Sequence, residues 1–275
     1  HTFKKFDWHV NFVDPADPEN FRNAIDDKTK AIFLEVLANP GGIIVDLEPV
    51  AEIARDAGIP LIVDNTMATP YLCRPFEWGA DISIHSMTKF LGGHGTSMGG
   101  VVVESGQFDW AQNDKFPSMT EPDPAYHGLT FYETFGDFGF STKAKAVALR
   151  DLGPTLAPQN AFNILTGIES LPVRMDRHLQ NAQAVAEFLE GHPAVAWVSY
   201  AGLKSSPYNA LAKKYLPKGP GSVFTFGLKG GYEAGVRAVE SVELLSHLAN
   251  LGDTRSLIIH PASTTHRQLT EEQQK

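Results

Sequence analysis

The chain has 275 residues, is 43% hydrophobic and 20% charged, and carries a formal net charge of −9. That is enough apolar material for one large domain or two modest ones, and the acidic balance argues against a nucleic-acid footprint, which needs clustered Lys and Arg. No apolar run approaches the roughly 20 residues that cross a bilayer and no signal-like N-terminus is present, so neither membrane nor nucleic acid is an expected partner.

The first half alternates short apolar runs with helical patterns. Ala31-Ile32-Phe33-Leu34 reads as a buried strand. Residues 46–57 read as a helix opened by Asp46, with Pro49 in its first turn and Val50, Ile53, Ala54 and Ala57 at helical spacing. Gly58 stops it. Leu61-Ile62-Val63-Asp64, Ile82-Ser83-Ile84-His85 and Gly100-Val101-Val102-Val103 follow as further strands. Strand–helix–strand order at this spacing implies an α/β fold with a mostly parallel sheet. Ligands of such sheets sit beyond the carboxyl ends of the strands. Polar residues cluster at those ends: Glu35 and Asn39, Asp64 and Asn65, and Ser86 to Lys89.

The segment 105–140 is rich in aromatics and broken by Pro and Gly, so it reads as a long loop with a functional or interface role. The stretch 126–140 is apolar enough to need a partner surface or a packed loop. Residues 176–190 predict a second helix with Leu179, Ala182, Val185, Ala186 and Leu189 on one face. Val195-Ala196-Trp197-Val198 and Ser222-Val223-Phe224-Thr225-Phe226 read as strands of a smaller C-terminal α/β domain. The expected division is 1–166 and 167–275.

Ser86-Met87-Thr88-Lys89 places two hydroxyls and an amine just past a strand end, followed by the glycine-rich Gly92-Gly93-His94-Gly95. Hydroxyls at such a turn can bind phosphate oxygens, and a lysine there can form a Schiff base with an aldehyde. The same residues also fit a surface turn with a solvated lysine. Asp64 fits either a turn cap or a carboxylate partner for a pyridinium nitrogen, and one crossover separates it from Lys89. Asn39, before Pro40, fits either a turn residue or an amide near a phenolic oxygen. The glycine run is not a G-x-G-x-x-G turn and Lys89 precedes it, which disfavours a nucleotide-binding domain. Cys73 is the only cysteine, so no intrachain disulfide forms. That fits a reducing cytoplasm, and the thiol reads as a small buried side chain rather than a nucleophile. His260 and His266 lack a third ligand at zinc-like spacing. For these two, and for His85 and His94, a structural role is expected and no metal site.

Several of these stretches resemble the Cys/Met-metabolism PLP-dependent enzymes: Val63-Asp64-Asn65-Thr66, Ala68-Thr69-Pro70, His85-Ser86-Met87-Thr88-Lys89 and Gly92-Gly93-His94-Gly95. Within that group the aromatic segment Thr120–Gly128, Ser246–Asp253 and His260–His266 resemble the O-acetylhomoserine sulfhydrylase branch. The resemblance implies an aspartate-aminotransferase-like PLP-dependent transferase fold (fold type I), usually a homotetramer built from active dimers. By it, Lys89 is the lysine that holds pyridoxal 5'-phosphate, Asp64 the pyridinium partner, Ser86 and Thr88 the phosphate-binding hydroxyls, and Asn39 the amide near the phenolic oxygen. Asn250 stands where several relatives carry serine near the substrate carboxylate. The implied reaction is γ-replacement on O-acetyl-L-homoserine by sulfide, giving L-homocysteine and acetate, with Lys89 moving protons.

A cystathionine γ-synthase or methionine γ-lyase type of activity uses the same machinery and stays open, as does an inactive or structural protein of this fold. The family's ring-stacking tyrosine, its phosphate-binding glycine turn, and the tyrosine and arginine lent by a neighbouring subunit are expected upstream of His1. By the same resemblance the carboxylate-gripping arginine is expected downstream of Lys275; Arg255 and Arg267 are present near the end, but neither sits in the matching motif. A start at His1 rather than Met and an end in Glu271–Lys275 fit a segment of a longer protein.

Overall fold

A computed structural model describes residues 3–40 and 42–267; the charged stretch Glu271–Lys275 lies outside the described residues. The four apolar runs of the first hundred residues form one sheet: β1 (Ile32–Glu35), β2 (Leu61–Asp64), β3 (Ile82–Ser86) and β4 (Gly100–Glu104), in that order. β1 and β2 pair in parallel from Ile32↔Leu61 to Glu35↔Asp64, and β2 and β3 in parallel through Asp64↔Ile84. β4 closes the sheet antiparallel, with Ser86 opposite Gly100. The expected α/β architecture with a mostly parallel sheet is therefore present. Leu61, Val63 and Ile82 are buried, whereas Phe33, between buried Ile32 and Leu34 in β1, is exposed.

The crossover between β1 and β2 is α1 (Leu47–Asp56), which buries Leu47, Val50, Ala51, Ile53 and Ala54. Asp46 occupies the N-cap, yet its carboxylate does not cap the helix. The Tyr215 hydroxyl takes over: it accepts the Glu48 N–H at 3.2 Å and donates to the Asp46 carboxylate. Lys214 adds an ion pair to Asp46 at 3.2 Å.

The segment 105–140 is more ordered than its composition suggests. It holds short helices at Pro117–Thr120 and Phe131–Phe135 and tight turns at Pro124–Tyr126 and Gly136–Phe138. Its aromatics largely pack on one another. Trp110, Phe116 and Phe131 are buried, and Trp110 stacks on Phe140 at 5.4 Å between ring centroids while meeting Phe116 edge-on at 5.1 Å. Phe138 remains exposed.

Beyond it come α2 (Pro158–Glu169) and the long α3 (Leu171–Glu190). α3 starts five residues before the helix expected from 176. Pro172, ordinarily a boundary signal, sits in its first turn, where a missing N–H costs nothing. The buried line is Leu171, Met175, Leu179, Ala182 and Ala186, while Val185, expected inside, is exposed. β5 (Val195–Ser199) pairs antiparallel with β6 (Thr225–Leu228), so the second strand lies further along than 222–226. Gly227 hides its C-terminal half from a propensity reading, although the residue pairs with Trp197. α4 (Gly231–Ser241) follows. A last pair of two-residue strands, β7 (Ser246–His247) and β8 (Leu257–Ile258), brackets the loop 248–256. The main hydrophobic core runs from Phe21 to Leu216, and a smaller one joins Ala182, Ala186, Tyr200 and Leu203. Among the described residues no helix is long and apolar enough to cross a membrane.

Candidate active site

β3 ends at Ser86 and the chain winds at once into a helical turn. The Lys89 N–H donates to the Ser86 carbonyl at 3.2 Å, the Gly92 N–H to Met87 at 2.9 Å and the Gly93 N–H to Lys89 at 2.8 Å. Lys89 projects from this turn half-buried. Its Nζ donates to Oδ1 of Asn250 at 2.7 Å, and no carboxylate pairs with it among the described residues.

Asn250 arrives on the loop between β7 and β8, which lies against the turn. The Thr254 N–H donates to the Gly93 carbonyl at 3.0 Å. Gly252 passes so close that a Cβ there would stand 2.4 Å from the Phe90 nitrogen. Asp253, buried in the same loop, accepts from the Arg255 backbone N–H at 2.9 Å, Nε at 3.2 Å and Nη2 at 3.1 Å. Burial works to raise its carboxyl, but Arg255 outweighs burial and holds it below the usual value.

Asp64 ends β2, in register with Glu35 on one side and Ile84 on the other. Its Oδ1 accepts the Thr66 N–H at 2.9 Å, so the turn use of this residue is real. Burial raises the Glu35 carboxyl and the neighbouring Asp64 charge adds to it, against a hydrogen bond from the Asn39 N–H at 3.1 Å. Burial also holds His85 below its ordinary value, with Asp64 pulling the other way.

The expected site residues are thus placed unequally. Lys89 and Asn250 touch. Asp64 and Ser86 share the carboxyl edge of β2 and β3 with the Lys89 turn. The Ser86 N–H is fixed by the Thr66 hydroxyl at 2.8 Å. The Thr88 hydroxyl donates to the Gly99 carbonyl at 3.3 Å and accepts the Gly99 N–H at 3.1 Å, tying the turn to the entry of β4. Asn39 lies exposed beyond β1, and only its backbone N–H reaches the edge, through Glu35.

Cys73 is buried and its thiol is pushed up to about 12, by burial first and then by Glu77, so it is no nucleophile at neutral pH. The histidines make local contacts: His85 with the Ser83 hydroxyl at 3.2 Å, His94 with the Gly92 carbonyl at 2.7 Å, His260 with the Ser263 hydroxyl at 2.9 Å. No cluster of three or more His, Cys, Asp or Glu able to hold a metal occurs among the described residues.

The sequence reading missed Arg174. It belongs to the first turns of α3, and its guanidinium donates to the carbonyls of Phe90 at 2.8 Å, Gly167 at 2.7 Å and Leu91 at 3.4 Å. A cation near a helix N-terminus opposes the helix dipole, and that mismatch is the one local sign that it serves something else.

The family model for the Cys/Met metabolism PLP-dependent enzymes matches residues 1–275. The O-acetyl-L-homoserine sulfhydrylase of Leptospira meyeri is 51% identical over all of this chain and 64% of its own length. The homocysteine synthase of Schizosaccharomyces pombe is 49% identical over 96% of this chain and 62% of its own. A crystal structure of an O-acetylhomoserine (thiol)-lyase from Campylobacter jejuni, which contains a pyridoxyl-lysine monophosphate residue, superposes with a TM-score of 0.95 at 43% identity, over 99% of this chain and 65% of that one. The chain spans a little under two thirds of the length of these relatives.

Proposed function

The chain belongs to the Cys/Met metabolism PLP-dependent enzyme family, and on that premise we propose that the protein it is part of converts O-acetyl-L-homoserine and sulfide into L-homocysteine and acetate, with PLP held by Lys89. The observation that carries this reading is the Lys89 amine at the end of β3, half-buried and hydrogen-bonded to the neutral Asn250 amide at 2.7 Å. The donor set fits the cofactor: an amine for its aldehyde, a carboxylate on the neighbouring strand end for its ring nitrogen, and hydroxyls at the turn for its phosphate. The activities for which the relatives are named point to the same reaction.

When bound, PLP draws electron density from the substrate carbon beside the amine into its ring, so that a group can leave further along the chain. The residues of this chain have separate tasks. Lys89 holds the cofactor's aldehyde carbon, then serves as base and acid at the α and β carbons once the substrate amine has displaced it. Asp64 keeps the proton on the ring nitrogen by a charge-assisted hydrogen bond. Ser86 and Thr88 bind phosphate, for which the Thr88 proton must turn from the Gly99 carbonyl. By the resemblance Asn39 addresses the phenolic oxygen, for which its exposed side chain must turn inward, and Asn250 orients the Lys89 amine and later the substrate carboxylate. We also propose, on the family resemblance, a division near residue 166 into a PLP-binding part and a C-terminal part, with the main core crossing it as far as Leu216. A homotetramer in the cytoplasm is proposed on the family resemblance, with exposed Phe138 as an interface candidate.

The test uses the full-length protein. Borohydride reduction and peptide mapping place a pyridoxyl group on Lys89, and sulfide with O-acetyl-L-homoserine releases homocysteine faster than with the O-succinyl ester. Label on another lysine refutes the assignment of Lys89. Homocysteine formation only from the succinyl ester, or elimination without sulfur uptake, refutes the reaction.

A further inference from the structure

We propose that Arg174 is a positioning residue for Lys89, because its guanidinium closes two helical ends at once: the turn that carries Lys89, and α2. This deepens the reading that Lys89 holds the cofactor and rests on it. Phe90 and Leu91, whose carbonyls Arg174 binds at 2.8 and 3.4 Å, directly follow Lys89. Gly167, bound at 2.7 Å, lies in the last turn of α2. The Gly167 carbonyl already accepts the Ser170 N–H at 3.2 Å and the Ser170 hydroxyl at 3.1 Å; Arg174 adds a charged donor there, and a cation at a helix C-terminus also complements the end of the dipole.

Nε of the same group donates to the Ser170 hydroxyl at 3.1 Å, between the two helices. No carboxylate among the described residues pairs with Arg174; its charge faces carbonyl dipoles. Burial accordingly lowers its pKa.

The demand is geometric. A guanidinium presents five donors in a flat fork and can address several carbonyls in different directions, whereas an ammonium is a point charge on a flexible stem. The opposite side of the Lys89 turn rests on the loop at Gly252 and Thr254, which also supplies Asn250. Besides the Thr88 tie to Gly99, the turn is therefore gripped from these two sides, and without Arg174 one of them is lost. The peptide after Lys89 then moves, and the amine spends less time in reach of its target.

The experiment measures two things on full-length protein freed of PLP: the rate at which added PLP becomes borohydride-fixed to Lys89, and non-covalent PLP affinity in the Lys89→Ala background. Arg174→Lys keeps the charge and loses the fork. It is expected to slow fixation about tenfold or more, as displacement of a reacting group does, while Lys89→Ala/Arg174→Lys binds PLP within about twofold of Lys89→Ala. Ser170→Ala removes both contacts of that hydroxyl, the one it accepts from Arg174 Nε and the one it donates to the Gly167 carbonyl at 3.1 Å, and slows fixation about two- to threefold by the same principle. Fixation by Arg174→Lys within about twofold of the parent overturns the proposal. So does a loss of non-covalent affinity as large as the loss in rate, since that marks a general defect of fold. If Arg174→Lys does not fold, Ser170→Ala decides, and an unchanged rate overturns the proposal. If the parent itself never fixes PLP at Lys89, the functional reading fails first and this inference with it, a result visible before any Arg174 variant is made.

Discussion

Replacing Gly252 by alanine should damage chemistry far more than stability, and a matched control separates the two. Gly252 has φ +77°, and an added Cβ would stand 2.4 Å from the Phe90 nitrogen, 2.7 Å from the Lys89 carbonyl carbon and 3.0 Å from the Phe90 Cα. These are backbone atoms that cannot rotate away. Restoring an ordinary contact near 3.5 Å moves the loop or the Lys89 peptide by about 1 Å. Gly153 has the same φ of +77° with nothing within 4 Å of its would-be Cβ. Gly153→Ala therefore bears the left-handed backbone penalty alone, about 1–2 kcal/mol. Gly252→Ala bears that penalty and the displacement, and a 1 Å misplacement costs about 100-fold in rate. Denaturant unfolding and steady-state turnover of both full-length variants test this. Gly153→Ala should lose stability and keep its turnover, whereas Gly252→Ala should lose about two further orders of magnitude in turnover. Turnover of Gly252→Ala within about twofold of Gly153→Ala would show that the loop does not set the position of Lys89.

Three other outcomes follow from contacts elsewhere. Tyr215→Phe removes the hydroxyl shared by the Glu48 N–H and the Asp46 carboxylate at the start of α1; it should cost about 1–3 kcal/mol in chemical denaturation, and no measurable loss would mean that water replaces it. Asp64→Asn keeps an oxygen for the Thr66 N–H but loses the charge, so turnover should fall about 10- to 100-fold, matching the roughly 1.5–3 kcal/mol of a charge-assisted bond, with little change in Tm; normal turnover at normal PLP content would reduce Asp64 to a turn residue. His85 and His178 are both held below their ordinary value, chiefly by burial. Below about pH 6.5 the unfolded chain binds protons that the folded imidazoles refuse, so their effect is a loss of stability as pH falls from there toward the lowered folded values. Glu35 and Asp81, raised by burial, act with the opposite sign, nearer the carboxylate range. Tm should therefore fall from pH 7 to about 5.5, and His85→Gln with His178→Gln should flatten that slope; an unchanged slope assigns it to other groups.

The parallel strands were legible as short unbroken apolar runs, as in Leu61-Ile62-Val63, although Phe33 in β1 is exposed, and because the polar residue ending each run marks the carboxyl edge. The placement of Asp64 and Ser86 at that edge was legible for the same reason, since each follows such a run directly, while Lys89 comes three residues later, in the turn after β3. What escaped was fixed by contacts far apart in sequence. Arg174 meets Phe90 across 84 residues, and Tyr215 meets Asp46 across 169; no local pattern announces either. Asn250 was legible as a site residue, though its contact with Lys89 across 161 residues was not. The helix start at Leu171 was obscured by Pro172, whose local meaning depends on whether it opens a helix or interrupts one.

The loop that supplies Asn250 also carries a carboxylate, and the way it is handled bears on the lysine. Asn250 Nδ2 and Asp253 Oδ2 both face Gly95: a Cβ there would lie 3.2 Å from the first and 3.0 Å from the second. A carboxylate beside a lysine favours the ammonium form and opposes nucleophilic attack. Asp253 is instead committed to Arg255 through three hydrogen bonds, from the backbone N–H, Nε and Nη2. What the loop offers Lys89 is the neutral Oδ1 of Asn250, which orients the amine without pairing its charge. Arg255 therefore holds the acid of the loop that reaches Lys89. It occupies the acid next to Asn250, so that one short loop can place an acceptor on Lys89 and keep its own negative charge elsewhere.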